Sequence, residues 1–228
     1  MSTTTLPANH DFTAANRAFY DENVATFETY PRVKERAARQ DRRRHARGLP
    51  LRQAVDLPCA YNYNGIGLMC KELYNYSSEI VGLDISPVVV ERCNQVFKEL
   101  GAGEESYAFV ANILTDKDIL PGKKFDLVFC SNSYHHFDQP EEVTRILGTF
   151  LKPGGTLLII NRIQNPDEPP VELKEEHRHF VVRYGFTEED IKRYCDVAGL
   201  DFVSYGKVPP DEQDLDLFIA KVVKPVPK

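Results

Sequence analysis

The chain has 228 residues, 42% of them hydrophobic and 27% charged, with a formal net charge of −6. A chain of this size buries a real core, and its composition excludes a mostly disordered protein, a collagen-like repeat and a membrane bundle. The charge is divided: Arg32 to Arg47 carries eight Lys/Arg against Glu35 and Asp41, or +6, so the remainder sums to −12.

The overall acidic balance argues against a nucleic-acid partner. The run from Arg42 to Arg47 reads as a solvated helical face rather than a nuclear signal or an RNA contact. The cysteines Cys59, Cys70, Cys93, Cys130 and Cys195 show no CxxC spacing and read as buried reduced thiols. Met1 to Asp11 lacks an apolar signal core, and no apolar run approaches 18 residues. The expectation is a cytoplasmic or nuclear protein without a membrane span.

Along the chain, Phe12, Ala15, Phe19, Val24 and Phe27 sit near helical spacing, and Pro31 divides the helical stretch that runs on to Arg47. Gly48 and Pro50 stop it. Short strands then alternate with helices. Strands are expected at 53–57, 79–83, 108–111, 125–130 and 156–160. Helices are expected at 67–74, 88–100 with Ser86 as N-cap and Pro87 in the first turn, and 141–151, the last stopped by Pro153-Gly154-Gly155. Residues 161–185 break the rhythm with Pro166, Pro169, Pro170, mixed charge and two histidines. A final helix at 187–198 carries Thr187 as N-cap and Gly199 as its stop. Two strands, 202–205 and 215–222, form an antiparallel hairpin around Pro209-Pro210-Asp211. Alternation of this kind builds a parallel sheet covered on both faces.

In such a sheet, ligands bind beyond the carboxyl ends of the strands. Those ends offer Asp56, Cys59, Ala60, Tyr61 and Asn62, followed by Gly65-Ile66-Gly67; then Asp84; then Asn112; then Ser131 to His136. Gly65 and Gly67 suit a loop that approaches a ligand closely or an ordinary turn. Asp84, 19 residues beyond Gly65, reads as a ribose-binding carboxylate or as a capping acid. Asn112 reads as an adenine-edge partner or as a turn residue. No G-x-G-x-x-G follows the first strand, which speaks against a dinucleotide and a dehydrogenase. Asp56 would repel a pyrophosphate and instead suits a ligand with an amino group near a nucleoside. S-adenosyl-L-methionine has that form.

The ordered segments AVDLPC, G-I-G, IVGLDIS, ANIL, FDLVFCSNSYHHF and FLKPGGTLLII resemble the class I S-adenosylmethionine-dependent methyltransferases, in particular small-molecule enzymes of the type 11/25 group. FYDENVATFETYP resembles their N-terminal lid and GFTEEDIKRYCDVAGL their late helix. The resemblance implies a Rossmann-like, mostly parallel α/β sheet of seven strands, helices on both faces, an antiparallel last strand and a helical lid. It implies a lid over residues 1–50, a methyltransferase-fold domain over 51–228 and a substrate cap at about 161–185.

The same resemblance sets Asp56, Cys59, Ala60, Tyr61, Asn62, Gly65 and Gly67 near the methionine part of the cofactor. It sets Asp84 with Ile85 at the ribose, Asn112 with Ile113 at the adenine, Ser131 near the methyl group, and Tyr20, Phe27 and Tyr30 in the closing lid, with core packing of the helix as the other role of these three. Two alignments of the first loop stand. Without a gap, Pro58, Ala60 and Asn62 occupy the family's glycine places; with an insertion, Gly65 and Gly67 are those glycines. His135 and His136 are the candidates for a base or for acceptor positioning, with backbone hydrogen bonding as the plainer role. His177, Arg178, His179, Arg183 and Tyr184 form either a cap selecting an anionic or polar small-molecule acceptor or a solvated loop. No metal site is expected. The function implied is methyl transfer to an oxygen, nitrogen or sulfur nucleophile; the alternative is a protein of this fold that does not methylate.

Overall fold

The computed structural model describes residues 9–27, 53–58, 68–208 and 216–227. Helix α1 (Phe12–Phe27) comes first. It is followed by β1 (Gln53–Pro58), α2 (Leu68–Tyr74), β2 (Glu79–Asp84), α3 (Pro87–Glu99), β3 (Tyr107–Val110) and β4 (Phe125–Ser131). A 3-10 turn (Tyr134–His136), α4 (Pro140–Phe150) and β5 (Leu151–Arg162) come next. A second 3-10 turn (Glu175–His177), α5 (Glu188–Ala198), β6 (Asp201–Lys207) and β7 (Leu217–Val223) complete it. The second helical segment around Pro31, the first loop and the 209–215 turn lie outside the described residues.

The strands form one seven-stranded sheet in the order β3-β2-β1-β4-β5-β7-β6. The first five are parallel to their neighbours, and β7 runs antiparallel to β5 and β6. Alternation within each strand feeds two faces. Val81, Leu83, Val128, Leu157 and Ile159 pack with Val143 and Leu147 of α4 and Ile191 and Tyr194 of α5. Ile80, Leu127, Phe129, Leu158 and Ile160 pack with Cys70 and Leu73 of α2 and Val90, Cys93 and Phe97 of α3. The four described cysteines are buried, free thiols. No helix among the described residues is long and apolar enough to cross a membrane.

Register brings the strand ends to one edge. Asp56 pairs with Gly82 and Phe129, Asp84 with Val110, Pro58 with Ser131, and Ser131 with Ile160. Local chemistry fixes the helices beside that edge. The Ser86 hydroxyl accepts from the Val89 N–H at 3.1 Å, and Pro87 occupies the first turn of α3. The same hydroxyl donates to Asp21 Oδ1 at 2.6 Å, which docks α1 on the start of α3. On α5, Thr187 and Asp190 form a reciprocal capping box, and Gly199 closes the helix at φ 66°, a conformation that suits glycine.

Two expectations change. Pro153-Gly154-Gly155 does not stop α4. That helix ends at Phe150, because Leu151 already pairs with Phe125; the Pro-Gly-Gly run lies inside β5, where the ladder shifts register. Nor is 161–185 a solvated loop throughout. Phe180 and Val181 are buried with Tyr20 and Val89, and the Phe19 and Phe180 rings stack with centroids 4.2 Å apart. Ile163 and Phe186 bridge its two ends.

Ser86→Ala removes both a helix cap and the α1 contact. It should lower stability by about 1–2 kcal/mol in urea denaturation, and amide exchange in α1 should accelerate. Unchanged exchange in α1 would show that Asp21–Ser86 does not hold the helix in place.

Candidate active site

The carboxyl ends of β2 and β3, the turn after β4 and one face of α1 enclose an open cleft of about 590 Å³. Its walls are Leu83, Asp84 and Ile85; Ala111, Asn112, Ile113 and Leu114; His136 and Phe137; and Thr13, Asn16 and Tyr20.

Asp84 is 2% exposed, and its Oδ1 accepts the Ser86 N–H at 2.7 Å. The carboxylate therefore sits at the N-terminus of α3, where the helix dipole favours negative charge. The N-cap itself is Ser86, so Asp84 is not the capping residue. Asn112 Oδ1 accepts the Leu114 N–H at 3.0 Å, and its own N–H donates to Asp116 at 3.0 Å. Its oxygen serves the turn while the residue also lines the cleft.

After β4 the chain turns sharply. Asn132 takes a left-handed φ of 54°, and its N–H donates to the Ile160 carbonyl at 2.7 Å. That bend delivers both histidines inward. His136 Nδ1 donates to the Phe180 carbonyl at 2.7 Å, so its Nε2 carries the lone pair and accepts the Tyr20 hydroxyl at 3.2 Å. His135 turns away from the cleft. Asn161 Oδ1 accepts the Arg162 N–H at 2.8 Å, which orients the amide, so His135 Nδ1 donates to that oxygen at 3.2 Å. Both rings are buried and held neutral. Burial is the main cause, with the Arg162 charge adding to it, and the Phe180 carbonyl partly offsets it for His136, whose pKa falls to about 3.

The expected cap cations are occupied. Arg183 pairs with Asp190, and Arg178 donates to the Leu173 carbonyl at 3.1 Å. The His179 carbonyl meets the His10 ring at 2.5 Å, and burial lowers the pKa of His177. Arg162 differs from the other described arginines: among the described residues it meets neither a carboxylate nor a carbonyl, and it stacks over the Tyr184 ring at 4.8 Å. Among the described residues, no group of three or more His, Cys, Asp and Glu could hold a metal ion.

Of the expected site residues, Tyr20, Asp84, Ile85, Asn112, Ile113 and His136 converge on the cleft. Ser131 is buried at the end of β4 and accepts from Asn132 Nδ2 at 3.3 Å, but does not line it. Asp56 pairs with Gly82 and Phe129, two residues short of Asp84 and Ser131 along the neighbouring strands. Cys59, Ala60, Tyr61, Asn62, Gly65 and Gly67 lie outside the described residues. The sequence reading missed Thr13, Asn16, Leu83, Ala111, Leu114 and Phe137. The first two share a helical face with Tyr20, a spacing that the pattern of α1 already contained.

Residues 64–159 match the family model described as a methyltransferase domain. An uncharacterized methyltransferase of Schizosaccharomyces pombe is 34% identical over 111 residues, which cover 45% of this chain and 38% of that protein. The curated relatives it matches are covered over between about a quarter and a half of their own length. The magnesium protoporphyrin IX methyltransferase of Synechocystis, solved with bound S-adenosylmethionine, superposes with a TM-score of 0.69 at 16% identity, over 96% of this chain and 100% of that one. The cyclase SpnF superposes at 0.65 with 15% identity over 82% of both chains. These likenesses establish the fold.

A histidine whose pKa falls on folding stabilises the folded state above its unfolded pKa and loses that contribution on acidification. Stability should therefore decline as pH drops from about 6.5 toward 3. His136→Gln should flatten that acid limb in denaturant midpoints measured against pH. An unchanged slope would remove His136 as its source.

Proposed function

We propose that this chain, which belongs by fold to the class I S-adenosylmethionine-dependent methyltransferases, transfers a methyl group from S-adenosyl-L-methionine to a small-molecule acceptor. The observation that carries the reading is the cleft. It places a buried carboxylate at a helix N-terminus, beside the Asn112–Ile113 corner and beneath α1.

The residues fit the cofactor. Asp84 offers a carboxylate to ribose hydroxyls. Ile85, Ile113, Leu114 and Phe137 offer apolar surface for a purine ring. Asn16 adds a buried acceptor oxygen that no protein group satisfies. When bound, the cofactor supplies an electrophilic methyl group on a sulfonium. The chain holds the reactants in place, and proximity can provide much of the acceleration.

Tyr20 and His136 act together in this reading. With a pKa near 3, holding a proton on His136 at neutral pH costs about 5 kcal/mol. That cost argues for positioning rather than proton removal: the neutral ring fixes the Tyr20 hydroxyl at the cleft wall. His135, turned toward Asn161, supports the turn. A sulfur or amine acceptor needs no strong base.

Residues 1–50 serve as the lid, 51–228 as the cofactor domain and 161–185 as the acceptor-side cap. The stacking of Phe19 on Phe180 supports that arrangement. Arg162, unpaired and near both histidines, suits an acceptor bearing negative charge. The buried free thiols suit a reducing, cytoplasmic setting. The second reading, cofactor binding without methylation, rests on the unusual run from Pro58 to Gly67.

Calorimetry should show micromolar binding of S-adenosylmethionine and of S-adenosylhomocysteine. Asp84→Asn keeps an acceptor for the Ser86 N–H but removes the charge, and should weaken binding about tenfold. No binding of either compound overturns the proposal. Release of S-adenosylhomocysteine in the presence of an acceptor excludes the second reading.

A further inference from the structure

Helix α1 brings a polar group into the cleft that its sequence does not mark. Asn16 is 4% exposed and lines the cleft about one helical turn before Tyr20. Its amide nitrogen donates to the Phe12 carbonyl at 2.7 Å. A carbonyl only accepts, so the orientation of the amide is settled. The other end, Oδ1, is buried and has no hydrogen-bond partner. Buried acceptors are nearly always satisfied, and one that is not calls for an explanation. Here the surroundings supply one. Asn16 shares the cleft wall with Asp84, Ile85, Asn112 and Ile113, the ends of β2 and β3.

We infer that Asn16 Oδ1 accepts a hydrogen bond from the nucleoside part of the bound ligand, from a ribose hydroxyl or the adenine amino group. The inference rests on the cofactor reading above. Asn16 sits with the ends of β2 and β3, whereas Ser131, at the end of β4, is absent from this wall. The partner is therefore a nucleoside donor rather than the amino-acid ammonium. A neutral amide suits this position beside Asp84, because a second carboxylate would repel the first. The helix thus reads its ligand directly: α1 completes its own hydrogen bonding only over an occupied cleft.

The test measures S-adenosylhomocysteine and 5′-methylthioadenosine, which keeps the nucleoside but lacks the ammonium, against Asn16→Leu and Asn16→Ala. Leucine matches the shape of asparagine; alanine leaves room and so removes steric blocking as an explanation. Both variants should bind both compounds about tenfold more weakly. Both substitutions also remove the amide hydrogen bond to the Phe12 carbonyl, a contact within α1, so the ligand-free thermal midpoint should fall slightly while the chain stays folded at the assay temperature. Two results overturn the inference: unchanged affinity in the folded variants, or weakening confined to S-adenosylhomocysteine. If the unsubstituted chain binds neither compound, the cofactor reading itself falls, and that outcome is read before any variant is made.

Discussion

The His136 ring is hydrogen-bonded on both of its nitrogens at once, and three segments distant in sequence meet there. Nδ1 donates to the Phe180 carbonyl in the 161–185 segment, and Nε2 accepts the Tyr20 hydroxyl of α1. The ring itself belongs to the turn after β4. An imidazole can play donor and acceptor together only when neutral. Burial enforces that state, so the medium that makes the ring a poor base also makes it a sound tether. The surrounding aromatics strengthen the junction. Phe180 stacks on Phe19, and the Tyr20 and His136 rings meet edge to face.

The tether matters because of where the sheet puts it. β1 has β2 on one side and β4 on the other, so the crossovers leaving β1 and β3 run in opposite directions across the sheet. Doubly wound sheets open a crevice at such a reversal, and ligands bind there. The ends of β2 and β3 form one wall. The turn after β4 forms the other, and it stays close because Asn132, in a left-handed conformation, is tied to Ile160 of β5. The crevice would remain an open edge without α1. Asp21 on Ser86 and Tyr20 on His136 hold the helix across it from both walls.

What the sequence made legible follows the range of each signal. Ser86-Pro87, Thr187 and Gly199 announced helix ends through chemistry confined to one turn, and the structure uses them as such. Asp84 was legible because strand, acid and helix start are neighbours in the chain. Pairing across the sheet was not. Pro153-Gly154-Gly155 looks like a stop until Leu151 is seen against Phe125. Arg178 and Arg183 looked available for a ligand because their partners, the Leu173 carbonyl and Asp190, are set by how the segment folds back. Arg162 fell within the expected 161–185 segment and Asn16 within the helical stretch that begins at Phe12, and no local signal marked either. In both cases the informative fact is what the side chain fails to meet.

A helix that closes a cleft has to be held firmly enough to shape it and loosely enough to admit a ligand. Here the holding contacts are neutral or singly charged hydrogen bonds, each worth about 0.5–3 kcal/mol net, together with a stacked ring pair. These lie on the residues from Phe19 to Asp21, with Ala15 packed against the same cluster and His10, ahead of the helix, meeting the His179 carbonyl. The Asn16 oxygen has no protein partner and thus takes no part in the polar contacts that hold α1. A ligand that engages Asn16 adds to the closed state without competing with the contacts that create it, so closure and occupancy reinforce each other. The same division suits the acceptor side. The 161–185 segment is tied to His136 through Phe180, while Arg162 stands apart from that tie, stacked on Tyr184 with its charge uncommitted.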